Sequence, residues 1–284
     1  MRKSLITTAV LGALAAPSFV LAADAAPAPD LTVAYNVGLY SQYIFRGLTQ
    51  TDRDPAVQGG VDLTHSSGFY LGAWGTNISW LRDNYLTGGP TYSSGGRVEL
   101  DLYGGYRYTF GSGVGIDLGA LQYLYPGSRD SYNFARANTT ELYGALSYGW
   151  IQAKISTVVS KGAWSIGKAD SAPEGAKNAQ GTYYAELNAT IPVSDLIGAK
   201  DGAASGITGI AHIARQEFNA GTYNDPSSYT DYKLGLQKSF SEGALNGVNV
   251  GGYWTYANTK DIAWTYAGRN IGDSTGTVYV QKTF

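Results

Sequence analysis

The chain has 284 residues, with 20 basic and 22 acidic side chains, 38 Gly, 23 Tyr and no Cys. This mildly acidic balance argues against nucleic acid as a partner, and disulfide staples are excluded. No Leu-, Ile- or Val-rich run is long enough for a permanent transmembrane helix, while abundant Gly and Tyr favour a protein built from strands.

The N-terminus fixes the compartment. Arg2 and Lys3 precede an apolar run from Leu5 to about Ala16, followed by Pro17 and the small-residue site Val20-Leu21-Ala22. This is the layout of a secretory signal peptide, residues 1–22, with cleavage expected after Ala22 or, second, after Ala23. Residues 23–30 read as a flexible Ala/Pro-rich lead-in, and 31–284 as one barrel domain. Loss of Arg2 and Lys3 leaves 18 basic against 22 acidic residues, a formal charge of −4.

Beyond the lead-in, apolar and polar residues alternate with period two about twelve times, the mark of strands whose faces meet different surroundings. The first strand reads as Leu31 to Arg46, with Leu31, Val33, Tyr35, Val37, Leu39, Tyr43 and Phe45 on one face and Thr32, Asn36, Gln42 and Arg46 on the other; a polar connection, 47–54, follows. The second sets Val57, Val61 and Leu63 against Gln58, Asp62 and Thr64. The third, Phe69 to about Trp80, carries aromatics in both rows. The fourth, Arg97 to Phe110, is the clearest: Val98, Leu100, Leu102, Tyr106, Tyr108 and Phe110 alternate with Glu99, Asp101, Tyr103 and Arg107. Asp117 marks the polar row of the fifth strand, Glu141 the sixth, Lys154 the seventh and Glu186 the eighth. His212 and Gln216 mark the ninth, Asp231 and Lys233 the tenth, and Asn249 the eleventh. The last, Gly276 to Phe284, ends on an aromatic. Connections alternate short and long, except that 192–205 exceeds what its place in the alternation predicts.

These features predict an all-β fold: a transmembrane up-and-down antiparallel barrel of about 12 strands. A bilayer offers no water to unpaired backbone groups, so only helices or edgeless barrels cross it, and helices are already excluded. The in-strand charges share one phase, as a wet interior requires, because a cation at the lipid midplane costs about 2–4 kcal/mol. An even strand number puts both termini on the periplasmic side with the short turns.

Two blocks carry a family likeness. The run Tyr43-Ile44-Phe45-Arg46-Gly47-Leu48-Thr49-Gln50, with Pro55 to Asp62 and Ser67 to Gly72, resembles the opening signature of the TorF family, whose members are presumed porins. Glu99 to Tyr106 and Tyr123 to Gly127 are similar to that family's second block. The resemblance implies an outer-membrane barrel with a pore role and supplies no catalytic residue or substrate.

The candidate lumen-lining residues are Arg46, Asp62, Glu99, Asp101, Arg107, Asp117, Glu141, Lys154, Glu186, Asp231 and Lys233. Their excess of acids suggests a weak cation preference, although Glu99, Asp101 and Arg107 are equally suited to pairing with Asp117 or Lys154. Arg46 either lines the mouth or anchors Asp52 and Asp54. A width between an eight-stranded filled barrel and a 16-stranded porin suits passive diffusion of small polar solutes. No enzyme is expected: His65 sits at a turn, and His212 has Thr208 and Gln216 beside it but no recognisable triad. Two histidines with no Cys give no zinc motif, and no cofactor is expected. The expected partners are outer-membrane lipid, small solutes and, through the strand ending in Phe284, the barrel-assembly machinery. The alternative is a structural or adhesin-type barrel whose outer loops, such as 84–94 and 223–229, bind carbohydrate or another surface. Neither oligomeric state nor solute is encoded in a readable way.

Overall fold

The computed structural model describes residues 30–83, 91–129, 135–168, 177–199, 201–221 and 224–284. The expected signal peptide and all but the last residue of the lead-in lie outside them, as do parts of the outer-loop segments 84–94 and 223–229. Twelve antiparallel strands close into one barrel. They are β1 Leu31–Tyr40, β2 Ala56–His65, β3 Phe69–Asn77, β4 Val98–Thr109, β5 Val114–Leu124 and β6 Thr139–Tyr148. There follow β7 Ile151–Val158, β8 Tyr183–Ile191, β9 Ile207–Glu217, β10 Tyr229–Ser239, β11 Val248–Ala257 and β12 Thr275–Thr283. Each strand pairs with its sequence neighbours, and β1 closes on β12 with Leu39 opposite Val280. The wall therefore has no free edge.

Two strands are shorter than the alternation predicts. The first stops at Tyr40, and the chain then turns inward, so Arg46 is not a wall residue. The third stops at Asn77, and Trp80 starts a single helical turn, Trp80–Asp83. The overlong connection 192–206 holds another such turn, Val193–Leu196. Ser194 ties it down: its hydroxyl donates to the Ala204 carbonyl (2.6 Å) and accepts from the Ile207 amide (2.6 Å).

The two faces of the wall differ as the period-two pattern requires. Outward rows such as Leu100 and Leu102, Leu142 and Leu146, and Leu234 and Leu236 are exposed, while Glu99, Asp101, Glu141 and Asp231 are buried. Outward charges sit near strand ends. Arg215 pairs with Glu217 at 2.7 Å toward the long-loop end. Lys238 reaches the Ser205 carbonyl and Lys282 the Asn246 carbonyl at the short-turn end, their ammonium groups also over the rings of Phe240 and Phe284. Apolar stems with ammonium groups led to polar partners are how lysines sit at a lipid interface. Exposed Tyr108, Phe110, Tyr148, Trp150 and Phe284 cluster at this end, and Trp254 and Tyr256 toward the other. Such aromatic bands flank the apolar belt of a membrane barrel.

The Gly and Tyr content has a packing explanation. On the inner face, tyrosine rings lie over glycines of the neighbouring strand. A Cβ at Gly72 would stand 2.3 Å from the Tyr103 ring, and one at Gly119 or Gly251 would stand 2.5 Å from the hydroxyl of Tyr143 or Tyr279. Each glycine is directly opposite its tyrosine in the register. The missing side chain gives the ring its place, the pairing by which aromatics cover glycines in curved sheets.

Candidate functional site

The barrel interior divides along its axis. At the long-loop end, the connections fold inward and bury a continuous cluster that includes Tyr43, Phe45, Leu48, Trp80, Tyr123, Phe218, Tyr229 and Trp264. Its most intrusive part is a ribbon in the first connection, Ile44–Phe45 paired with Leu48–Thr49. Arg46 and Gly47 form its tip with φ of +47° and +79°. Two successive positive φ values are those of a type I′ hairpin turn, which matches strand twist. Gly47 is required on a second count: a Cβ there would meet Asp231 Cβ at 2.5 Å. The tip thus lies against β10.

Arg46 is driven into a prepared setting. Its Nη2 donates to both Glu141 oxygens, at 3.0 and 2.8 Å, and its Nη1 donates to Gln216 Oε1 at 2.9 Å. The guanidinium carbon lies 4.2 Å from the Tyr184 ring centre, 4.9 Å from Trp164 and 5.0 Å from Phe45. Burial alone would lower the Arg46 pKa, but Glu141 and the neighbouring phenols outweigh it and raise it above the ordinary arginine value. The group is a permanent cation. Asp52, one of its expected partners, instead lies 3.5 Å from Arg269.

Beside this pair is an acidic step. Glu99 is 1% exposed and Asp101 6%, and Glu99 accepts from the Tyr43 hydroxyl at 2.8 Å. Burial, with Glu99 and Asp101 adding to it, raises the Tyr43 phenol well above its ordinary pKa, so it remains a donor. Glu99 Oε2 and Asp101 Oδ1 are buried without a hydrogen-bond partner. No salt bridge joins either acid to Asp117 or Lys154, and the two are separated only by Leu100 on one strand. Arg107, the third residue of that expectation, lies directly opposite Asp117 in the register.

Elsewhere on the inner face, tyrosines and carboxylates bond across strands. Tyr103 donates to Asp62 (2.6 Å), and Tyr70 donates to Asp117 (2.6 Å) while also meeting Tyr143. Arg107 stacks on the Tyr70 ring at 3.9 Å. Lys154 stands 3.8 Å from Glu186 and over the Tyr143 ring, and Lys233 stands over Tyr253. His212 is held on both nitrogens: Nδ1 meets Asn188 Oδ1 at 2.5 Å, and Nε2 meets Tyr184 (3.0 Å) and Asp231 (3.1 Å). Its partners come from β8 and β10, not from Thr208 or Gln216. His65 contacts Ser67 (2.7 Å) in the exposed turn after β2.

The structure joins Arg46 to Glu141, Lys154 to Glu186, and Asp231 to His212. Pattern reasoning missed Tyr184, Gln216 and Trp164 as partners of Arg46. The only signal for the inward ribbon was the Arg-Gly pair, a dipeptide able to supply two left-handed residues.

A closed wall, an outward apolar belt with charges confined to its rims, and a buried polar interior define a transmembrane β-barrel of the bacterial outer membrane. Over residues 24–284 the chain matches the family described as "Bacterial protein of unknown function (Gcw_chp)", and it belongs to that family. No curated protein matches it. Among solved structures it is similar to a KdgM porin, with 10% identity, TM-score 0.45, and coverage of 89% of this chain and 98% of that one. It is also similar to OccK5 (OpdH) of Pseudomonas aeruginosa, with 12% identity, TM-score 0.40, and coverage of 90% and 67%. A third is OccAB1 of Acinetobacter baumannii, with 9% identity, TM-score 0.44, and coverage of 92% and 66%.

Proposed function

We propose that this barrel is a channel for passive diffusion of small polar solutes, with the 44–49 ribbon as its constriction and a preference for cations. The observation that carries the reading is the interior itself: charged and phenolic side chains line the barrel from Arg107 and Asp62 up to Glu141 and Asp101, and one inserted hairpin narrows it. The cation preference follows from the inner row as a whole, where the acids Asp62, Glu99, Asp101, Asp117, Glu141, Glu186 and Asp231 outnumber the bases Arg46, Arg107, Lys154 and Lys233. Rings of acidic side chains favour cations in pores. The eleven interior residues form the solute path in this reading, and the TorF-like blocks agree with it.

A second reading is supported by the depth of burial at the long-loop end. The inner cluster there is sealed by Trp80, Tyr92, Trp264 and Tyr266, as expected of a structural or adhesin-type barrel whose outer loops bind a surface. Planar-bilayer recording separates the two. A channel gives discrete ohmic steps and a reversal potential set by cations in a salt gradient; a filled structural barrel gives no steps.

A further inference from the structure

The wall residues around Arg46 form a site whose shape belongs to the cation and not to the hairpin. Glu141 is on β6, Gln216 on β9 and Tyr184 on β8, so the carboxylate, the amide oxygen and one aromatic face are all supplied by the barrel. Each is oriented by the wall as well. Tyr123 donates to Glu141 Oε2 at 3.1 Å, and Gln216 Nε2 donates to the Tyr183 carbonyl at 3.0 Å, turning its oxygen toward the guanidinium. Separate acceptors for two guanidinium nitrogens and a π face within 4.2 Å of the central carbon suit a planar delocalised cation, and a compact ammonium ion meets them less well. The tethered occupant fits imperfectly: Arg46 Nε is buried without a partner, and its backbone is held at positive φ. A free guanidinium carries neither constraint.

We propose that Glu141, Gln216 and Tyr184 form a recognition site for guanidinium groups, filled in the closed barrel by Arg46 as a ligand from its own chain. Small solutes bearing such a group are then the class that the channel admits, by displacing the hairpin. This rests on the channel reading above. The unpartnered oxygens of Glu99 and Asp101 leave further buried acceptors beside the site, in keeping with a visitor rich in N–H donors.

The test uses the full barrel refolded in lipid, with folding checked by heat-modifiable electrophoretic mobility, and methylguanidinium as the probe. Arg46→Ala should conduct several-fold more than the wild type. Millimolar methylguanidinium should return that conductance toward the wild-type level, equal sodium chloride should not, and the Arg46→Ala/Glu141→Gln barrel should not respond. Block that is absent in Arg46→Ala, or that persists after Glu141→Gln, overturns the proposal. If Arg46→Ala does not fold, Arg46→Lys, which keeps the charge without the fork, carries the same titration. If neither wild type nor variants conduct, the channel reading fails, and the site is judged by heat unfolding. Methylguanidinium should then raise the unfolding temperature of Arg46→Ala but not of the double variant, and equal shifts in both would remove the site.

Discussion

Replacing Leu187 by Arg places a charge at the point where the membrane assignment is most exposed to refutation. Leu187 is the central residue of β8, 49% exposed, with Ala153 and Ile213 beside it in the outward row and Glu186 next to it in the inward one. If that row touches acyl chains, an arginine at mid-height costs about 2–4 kcal/mol, roughly a 30- to 700-fold loss in the folding equilibrium. The same change at Gln152, on the inner face of β7, should cost no more than about 0.5 kcal/mol because the charge remains in a polar setting. Reversible urea unfolding in phospholipid vesicles, followed by tryptophan fluorescence, measures both. A Leu187→Arg barrel as stable as the wild type, or a Gln152→Arg barrel that loses more, would show that the greasy row does not face lipid.

Three further outcomes follow from the interior. Glu141→Gln leaves the Arg46 charge buried without its counter-ion, and breaking such a pair should lower stability by about 3–5 kcal/mol, read in the same unfolding assay. Gly72→Ala drives a methyl into the Tyr103 ring and disturbs the bond to Asp62. Overpacking of this kind costs about 1–3 kcal/mol, and combining it with Tyr103→Ala should recover part of the loss in a double-mutant cycle. Gly47→Ala is opposed both by its positive φ and by the Asp231 side chain, so the hairpin should be pushed off the wall. Its signature is higher single-channel conductance with little change in circular dichroism.

Strand number, phase and closure could all be read from the chain because period-two alternation is a local property that lipid and an aqueous interior both enforce. Val98, Leu100 and Leu102 alternate with Glu99, Asp101 and Tyr103 so regularly that the inner row of β4 is unambiguous from residues alone. The pattern failed at Tyr43 to Arg46, where alternation continues although the wall has ended. An inward ribbon uses the same β-compatible residues, and its apolar side faces a buried cluster instead of lipid, so Tyr43 and Phe45 look like wall residues. The partners of Arg46 were out of reach for another reason. Glu141 and Gln216 are 95 and 170 residues away, and only the closed register brings both to one guanidinium. The tyrosine-over-glycine pairs were visible as composition but not as pairs, because Gly72 and Tyr103 meet only once β3 is aligned with β4.

The most direct measurement is site-directed spin labelling along β7, Ile151–Val158, which a chain without cysteine permits at each position in turn. With the barrel in lipid bilayers, labels at Ile151, Ala153 and Ile155 should collide with membrane-dissolved oxygen, and those at Gln152, Lys154 and Ser156 should be shielded from it. A period-two alternation in oxygen accessibility with that phase is the predicted result. Uniform accessibility along the strand, or the opposite phase, would contradict a wall that faces acyl chains outside and polar side chains within.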